Sequence, residues 1–204
     1  METNASGYFT LKEEVRIRLP VGKCRFITTA APVEDEQEAR AFIQRVREEF
    51  ADATHNVYAY RLGSGDAMVE RSSDDREPAG TGGPPVLAIL QKNNVSDAAA
   101  VVSRYFGGVK LGVGGLIRAY RSAAEEGIGQ ARLISKVRQE KLLVRIPYEN
   151  LGTVLKVISS RQGDIIDIEY GQEVAVRISL QSGNKQELAR ELHDATRGKG
   201  ILEG

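Results

Sequence analysis

Apolar and polar residues change their spacing several times along this chain, and each change marks an element. Residues 9–19, "FTLKEEVRIRL", and 25–33, "RFITTAAPV", read as strands divided by the turn "PVGK". Ala39, Phe42, Ile43, Val46 and Phe50 then recur at three- and four-residue intervals, the spacing of an amphipathic helix. Glu34, Asp35 and Glu36 precede it, where a helix start favours anions. Residues 54–62, "THNVYAYRL", alternate as a strand does, with Tyr58 and Tyr60 on one face and Val57, Ala59 and Arg61 on the other. The stretch 63–85, "GSGDAMVERSSDDREPAGTGGPP", is rich in turn-forming residues and reads as one long loop, functional or mobile. Pro84 and Pro85 open a short helix. Residues 98–106, "AAAVVSRYF", form an apolar strand, and Leu116, Tyr120, Ala123 and Gly127 make one stripe of the helix that follows.

Beyond about Gln139 the texture changes. Residues 140–148 read as a strand, 149–161 as a helix, 164–180 as a hairpin turning near Gly171, and 184–197 as a helix. That order, β-α-β-β-α, is a split βαβ or ferredoxin-like module. We expect an α+β chain of two domains, 1–136 and 137–204. The segment "ARLISKVRQE" between them holds no strong breaker.

Composition narrows the function. The 204 residues hold 28 Lys+Arg against 28 Asp+Glu, so a wholly basic nucleic-acid binder is excluded and any polyanion must meet a local patch. Cys24, the one cysteine, permits no internal disulfide and no multi-cysteine metal site, and reads as a small strand residue in a reducing compartment. The start of the chain has no apolar segment behind a basic head, and no apolar run approaches membrane-spanning length; we expect a cytoplasmic protein.

The local patch lies in "SRYFGGVKLGVGGLIRAY", residues 103–120. Gly107, Gly108, Gly112, Gly114 and Gly115 free the backbone just before a helix begins, where unpaired amides attract anions. Arg104 precedes the loop, Lys110 lies within it, and Arg118 and Arg121 follow one turn apart. Between Ala100 and Arg138 there are seven cations, Arg132, Lys136 and Arg138 included, against two anions, Glu125 and Glu126. Arg25 and His55 join the candidate partner-binding residues. Read as a pattern alone, these glycines could equally serve close helix–strand packing, and the cations a solvated face. Asp74, Asp75 and Glu77 could bind Mg²⁺ or work as acid and base, or could cap turns in a solvated loop. His55 and the distant His193 have no metal-like spacing.

Taken together, "THNVYAYR", "DDREPAGTGGPP" and "SRYFGGVKLGVGGLIRAY", in this order, resemble the signature of the IMPACT/YigZ family of translation regulators. Cys24 stands where serine is usual, Arg76 where the family usually has Gly, and Pro84 where Lys is common. The resemblance implies an N-terminal domain with a βαβ fold shared by a small-subunit ribosomal protein, domain IV of elongation factor G and the GHMP kinases. It implies a ferredoxin-like C-terminal domain similar to domain V of elongation factor G. In eukaryotic relatives the module is linked to a regulator that competes for the scaffold activating a starvation-responsive translation kinase.

We therefore expect a translation-associated binding protein, not an enzyme, that contacts RNA, the ribosome or a ribosome-associated protein through the Gly-rich basic loop, with no cofactor and no metal. The competing expectation is a phosphotransferase or hydrolase that holds phosphate on residues 107–115 and metal on Asp74, Asp75 or Glu77.

Overall fold

The computed structural model describes residues 7–65, 68–137 and 139–203. They divide into two compact units, one of Tyr8–Lys136 and one of the residues from Val137 onward together with Gly7. In the first unit β1 (Tyr8–Leu11), β2 (Val15–Val21) and β3 (Cys24–Pro32) lead to α1 (Glu36–Glu49). Then come β4 (His55–Leu62), β5 (Val69–Ser73), α2 (Gly83–Lys92), β6 (Ala98–Tyr105), α3 (Gly112–Gly129) and β7 (Leu133–Lys136).

Five strands make one antiparallel sheet in the order β2-β3-β6-β4-β5. Pleating sends alternate side chains to opposite faces, so both faces of the central strand β6 can be apolar. Ala98, Ala100 and Val102 meet α2 and α3, while Ala99 and Val101 meet α1. The small side chains of β6 let helices approach from both sides. Helix α1 starts where Asp35 accepts a hydrogen bond from the Glu38 amide and buries Ala39, Phe42, Ile43 and Val46. On the other face Tyr120 of α3 meets Phe26 of β3 edge-on, with ring centroids 5.1 Å apart.

Three segments differ from the sequence pattern. Residues 9–19 are two strands, because β1 pairs with β7 while β2 pairs with β3, and the chain turns through the charged Lys12–Glu14. The stretch expected to be one loop contains β5, whose "VERSS" lacks apolar alternation because it is an edge strand, paired on one side and half exposed. The third is the segment "ARLISKVRQE", in which the sequence shows no strong breaker and in which Leu133–Lys136 form β7.

The second unit runs β8 (Gln139–Ile146), α4 (Leu151–Ser160), β9 (Asp164–Tyr170), β10 (Val174–Gln181), α5 (Lys185–Thr196) and β11 (Ile201–Glu203). Its antiparallel order β11-β8-β10-β9 is the ferredoxin-like arrangement, completed by a short last strand that the sequence pattern omits. Val144, Ile146, Val174, Val176, Ile178 and Leu180 line the sheet face that meets Val154, Ile158, Leu188 and Leu192. The protein is thus an α+β protein of two units. Among the described residues no helix is long and apolar enough to cross a membrane.

Candidate functional site

Strand β6 ends at Tyr105 and the chain reaches α3 only at Gly112; the intervening loop forms one wall of a cleft of about 400 Å³. The opposite wall is the acidic loop, through Glu77 and Pro78, and the floor is the paired ends of β4 and β6, His55 and Arg104. The two glycine-rich stretches of the sequence, 27 residues apart at Glu77 and Arg104, therefore face one space.

Their contact is a buried ion pair. Arg104 Nη1 donates to Glu77 Oε1 at 2.6 Å, with side chains only 6% and 3% exposed. Tyr120 donates its hydroxyl proton to the same Oε1 at 2.7 Å, and His55 Nε2 lies 3.8 Å from Oε2. Burial opposes the Arg104 charge, but hydrogen bonds to Glu77 and to Cys24 Sγ and the charge of Glu77 outweigh it and hold the guanidinium protonated. Burial, reinforced by the hydrogen bond to Glu77, pushes the Tyr120 phenol far above its ordinary value, so it is a fixed donor. Imidazole Nδ1–H of His55 donates to the carbonyl of Asp75 at 2.8 Å, which orients Nε2 toward Glu77.

The two aspartates of the acidic loop are occupied. Asp74 accepts the amides of Gly80, Gly82 and Gly83, each at 2.8 Å, and so folds the loop back onto the start of α2. Asp75 accepts the Asn56 amide at 2.6 Å and Arg47 Nη2 at 2.7 Å. Turn-capping by aspartate, one of the two sequence readings, describes Asp74; the solvated loop does not describe Glu77, which is core. No group of three or more His, Cys, Asp or Glu among the described residues could hold a metal ion.

The candidate residues from the sequence separate into sets. Arg104, His55, Lys110 and Gly112 line the cleft together. Arg104 is not a surface cation, because its charge is directed inward to Glu77. Arg25 is on the other face of the sheet, opposite Tyr105 in register, with its guanidinium 4.3 Å from that ring. Arg118 and Arg121 are exposed on the outward side of α3, away from the buried stripe of Leu116, Tyr120 and Ala123. Lys136 pairs with Asp97 at 3.0 Å, and Arg138 lies outside the described residues. Lys110 and Arg118 have no ion-pair partner among the described residues.

The glycines also separate. A Cβ on Gly107 would lie 1.8 Å from the carbonyl oxygen of Lys23, so its role is close packing of the loop on the β2–β3 turn. Gly108 and Gly112 turn the chain through left-handed conformations, φ +87 and +70. A Cβ on Gly114 would meet only Arg118 Nη1, at 3.6 Å, and one on Gly115 would press on Leu111 Cβ at 3.1 Å. Helix α3 begins at Gly112 without a side-chain cap and with no acid in its first turn.

Sequence reasoning misses Glu77, Tyr120 and Phe106 as parts of one site. Tyr120 falls on the apolar stripe of α3, and nothing in a helical period announces that its hydroxyl meets a carboxylate. Phe106 continues the apolar strand β6 in sequence, yet it lies one residue past the strand and is 46% exposed.

A two-unit α+β protein with an ion-paired cleft at one end of a helix-covered sheet is the class these features define. Comparison with known proteins gives the family. The model of the Impact N-terminal domain matches residues 22–128, and that of a domain of unknown function (DUF1949) matches residues 144–199. IMPACT family member YvyE of Bacillus subtilis is 35% identical over 97% of this chain and 91% of its own. IMPACT family member YigZ of Escherichia coli is 34% identical over 93% and 90%. A crystal structure titled only as that of a hypothetical protein superposes with a TM-score of 0.72 at 32% identity, covering 97% of both chains. The chain belongs to the IMPACT family.

Proposed function

We propose that this protein is a translation-associated regulatory binding protein that docks RNA, on the ribosome or free, at the cleft end of its first unit. The observation that carries the reading is a juxtaposition at one loop. Phe106, Val109 and Val113 are exposed at 46%, 54% and 60%, and between them stands Lys110 with no carboxylate partner among the described residues. Exposed apolar side chains beside an uncompensated cation, in a chain of zero formal charge, fit a surface kept for a partner. Arg118 and Arg121 extend the positive field along α3. The engagement of Asp74 and Asp75 with backbone amides and Arg47 weighs against the metal-dependent transferase alternative.

The test is salt-dependent binding of the purified protein to ribosomes and to total RNA. Removing one cation that meets a phosphate should make the slope of log K against log salt shallower by roughly 0.7 to 0.9. The triple variant Lys110→Ala/Arg118→Ala/Arg121→Ala should bind weakly with a shallower slope. Unchanged affinity in that variant, with the fold intact, overturns the reading.

A further inference from the structure

We infer that the cleft takes one unstacked base of a single-stranded RNA, with the Phe106 ring as its stacking platform and Lys110 on the adjoining phosphate. This rests on the RNA-docking reading above and adds what that reading lacks: a preference for unpaired strands. A surface that met phosphates alone would treat single strand and duplex by their charge, whereas a cleft of about 400 Å³ has the dimensions of a site for one small group.

The cleft has the features such a site needs. Its side walls are apolar, from Pro78, Leu111, Val113 and Leu116. Phe106 is at the mouth with its ring half exposed, and its amide donates to Thr54 Oγ1 at 3.1 Å, so the backbone that carries the ring is fixed to the start of β4. The Arg104 guanidinium, held by Glu77, lies 5.6 Å from the ring centroid on the inner side. A ring fixed in backbone position and already in contact with a cation on its protein side has its remaining surface available to a base. Charge complementarity selects the occupant: Lys110 flanks the ring, and the uncapped start of α3 presents its amides beside it, so the group attached to the base should be anionic. Helix start and lysine alone would fit any anion; the aromatic ring and the enclosed apolar volume require a flat apolar group as well.

The floor adds a second discrimination. Glu77 Oε1 is taken by Arg104 and Tyr120, while Oε2 lies 3.8 Å from His55 Nε2. Glu77, a lining residue of the cleft, therefore offers a carboxylate oxygen as acceptor at the floor. An acceptor there suits an exocyclic amino group, which cytosine has and uracil replaces with a carbonyl. Cytosine and uracil stack alike, so their difference isolates the floor from the ring.

The experiment is fluorescence anisotropy of labelled oligoribonucleotides, oligo(C), oligo(U) and a hairpin-free duplex of equal length, against the full chain at fixed salt. Single strands should bind more tightly than the duplex, and oligo(C) more tightly than oligo(U). Phe106→Ala should weaken single-strand binding about 5- to 100-fold and leave duplex binding near wild type, while Phe106→Tyr should keep the single-strand preference. Phe106 is at the surface, so circular dichroism of the variants should match the wild type. Equal affinity for strand and duplex, or unchanged single-strand affinity in Phe106→Ala, overturns the base site and leaves phosphate docking intact. Oligo(U) bound as tightly as oligo(C) overturns the role of the floor. No binding to any RNA at low salt overturns the docking reading itself.

Discussion

Removing Arg104 tests how strongly the buried pair holds the two loops together. In Arg104→Met the side chain keeps most of its length, but the Glu77 carboxylate, 3% exposed, loses its cation and keeps only the Tyr120 hydroxyl at 2.7 Å and a distant imidazole. Breaking a buried pair from one side costs about 3–5 kcal/mol, because the remaining charge stays desolvated. That is a large part of the 5–15 kcal/mol that keeps a domain folded, and corresponds to a fall in melting temperature of about 10 °C or more. The chain has no tryptophan, so unfolding in urea is best followed by far-ultraviolet circular dichroism with tyrosine fluorescence as a second probe. The double variant Arg104→Met/Glu77→Leu removes both charges, and should be clearly more stable than the sum of the two single losses predicts. A single variant within about 1 kcal/mol of wild type, or strictly additive losses in the double, would refute the claim that this pair is desolvated and coupled.

Two backbone predictions are independent of that pair. Gly107→Ala should unfold the loop or the unit, since its Cβ would sit 1.8 Å from the Lys23 carbonyl oxygen, whereas Gly114→Ala, whose Cβ would make only an ordinary contact of 3.6 Å with the flexible end of Arg118, should be at least as stable as wild type in the same urea titration. The reverse order would mean that residue 107 does not pack against the Lys23 carbonyl. Arg76 has a left-handed backbone, φ +69, at the position where the family resemblance leads one to expect glycine; Arg76→Gly should therefore stabilise by about 1 kcal/mol, and a loss of stability would show that the arginine side chain compensates its own strain.

The course of the chain is legible where burial imposes a period. Helix α1 declares itself because one stripe is buried against a single face of the sheet and the rest is solvated, so Ala39, Phe42, Ile43 and Val46 keep strict helical spacing. The second unit reads equally well, since β8 and β10 each show the helix-covered face as alternate apolar residues. Strand β5 is illegible for the converse reason. At the edge of the sheet, with partly exposed side chains on both faces, "VERSS" has no apolar face to repeat, and its position beside β4 follows from pairing with distant residues. The break between β1 and β2 is likewise a matter of partners: β1 pairs with β7, more than 120 residues later in the chain, and no local window contains both.

The site is legible only in its backbone. Glycines and prolines announce loops because their constraints are local, and both loops stand out in that way. Their meeting does not, because it depends on the pairing of Glu77 with Arg104, which the sequence presents as separate candidates, one in an acidic loop and one in a basic patch. Burial gives them their meaning, and burial comes from α3 lying across β3 and from the fold of the 74–83 turn around the Asp74 carboxylate. The chain's neutral total misleads in the same way. Arg104 and Lys136, two of the seven cations in the basic segment, neutralise carboxylates inside the unit, and the exposed charge near the cleft falls to Lys110 with Arg118 and Arg121 on the helix beyond. What a partner meets is therefore a small field beside a shaped, partly aromatic opening. Since Arg104 braces both the acidic loop and the inner side of the Phe106 ring, loss of the pair should disorder the opening as well as lower stability. In Arg104→Met, single-strand affinity should fall even at temperatures where the unit remains folded.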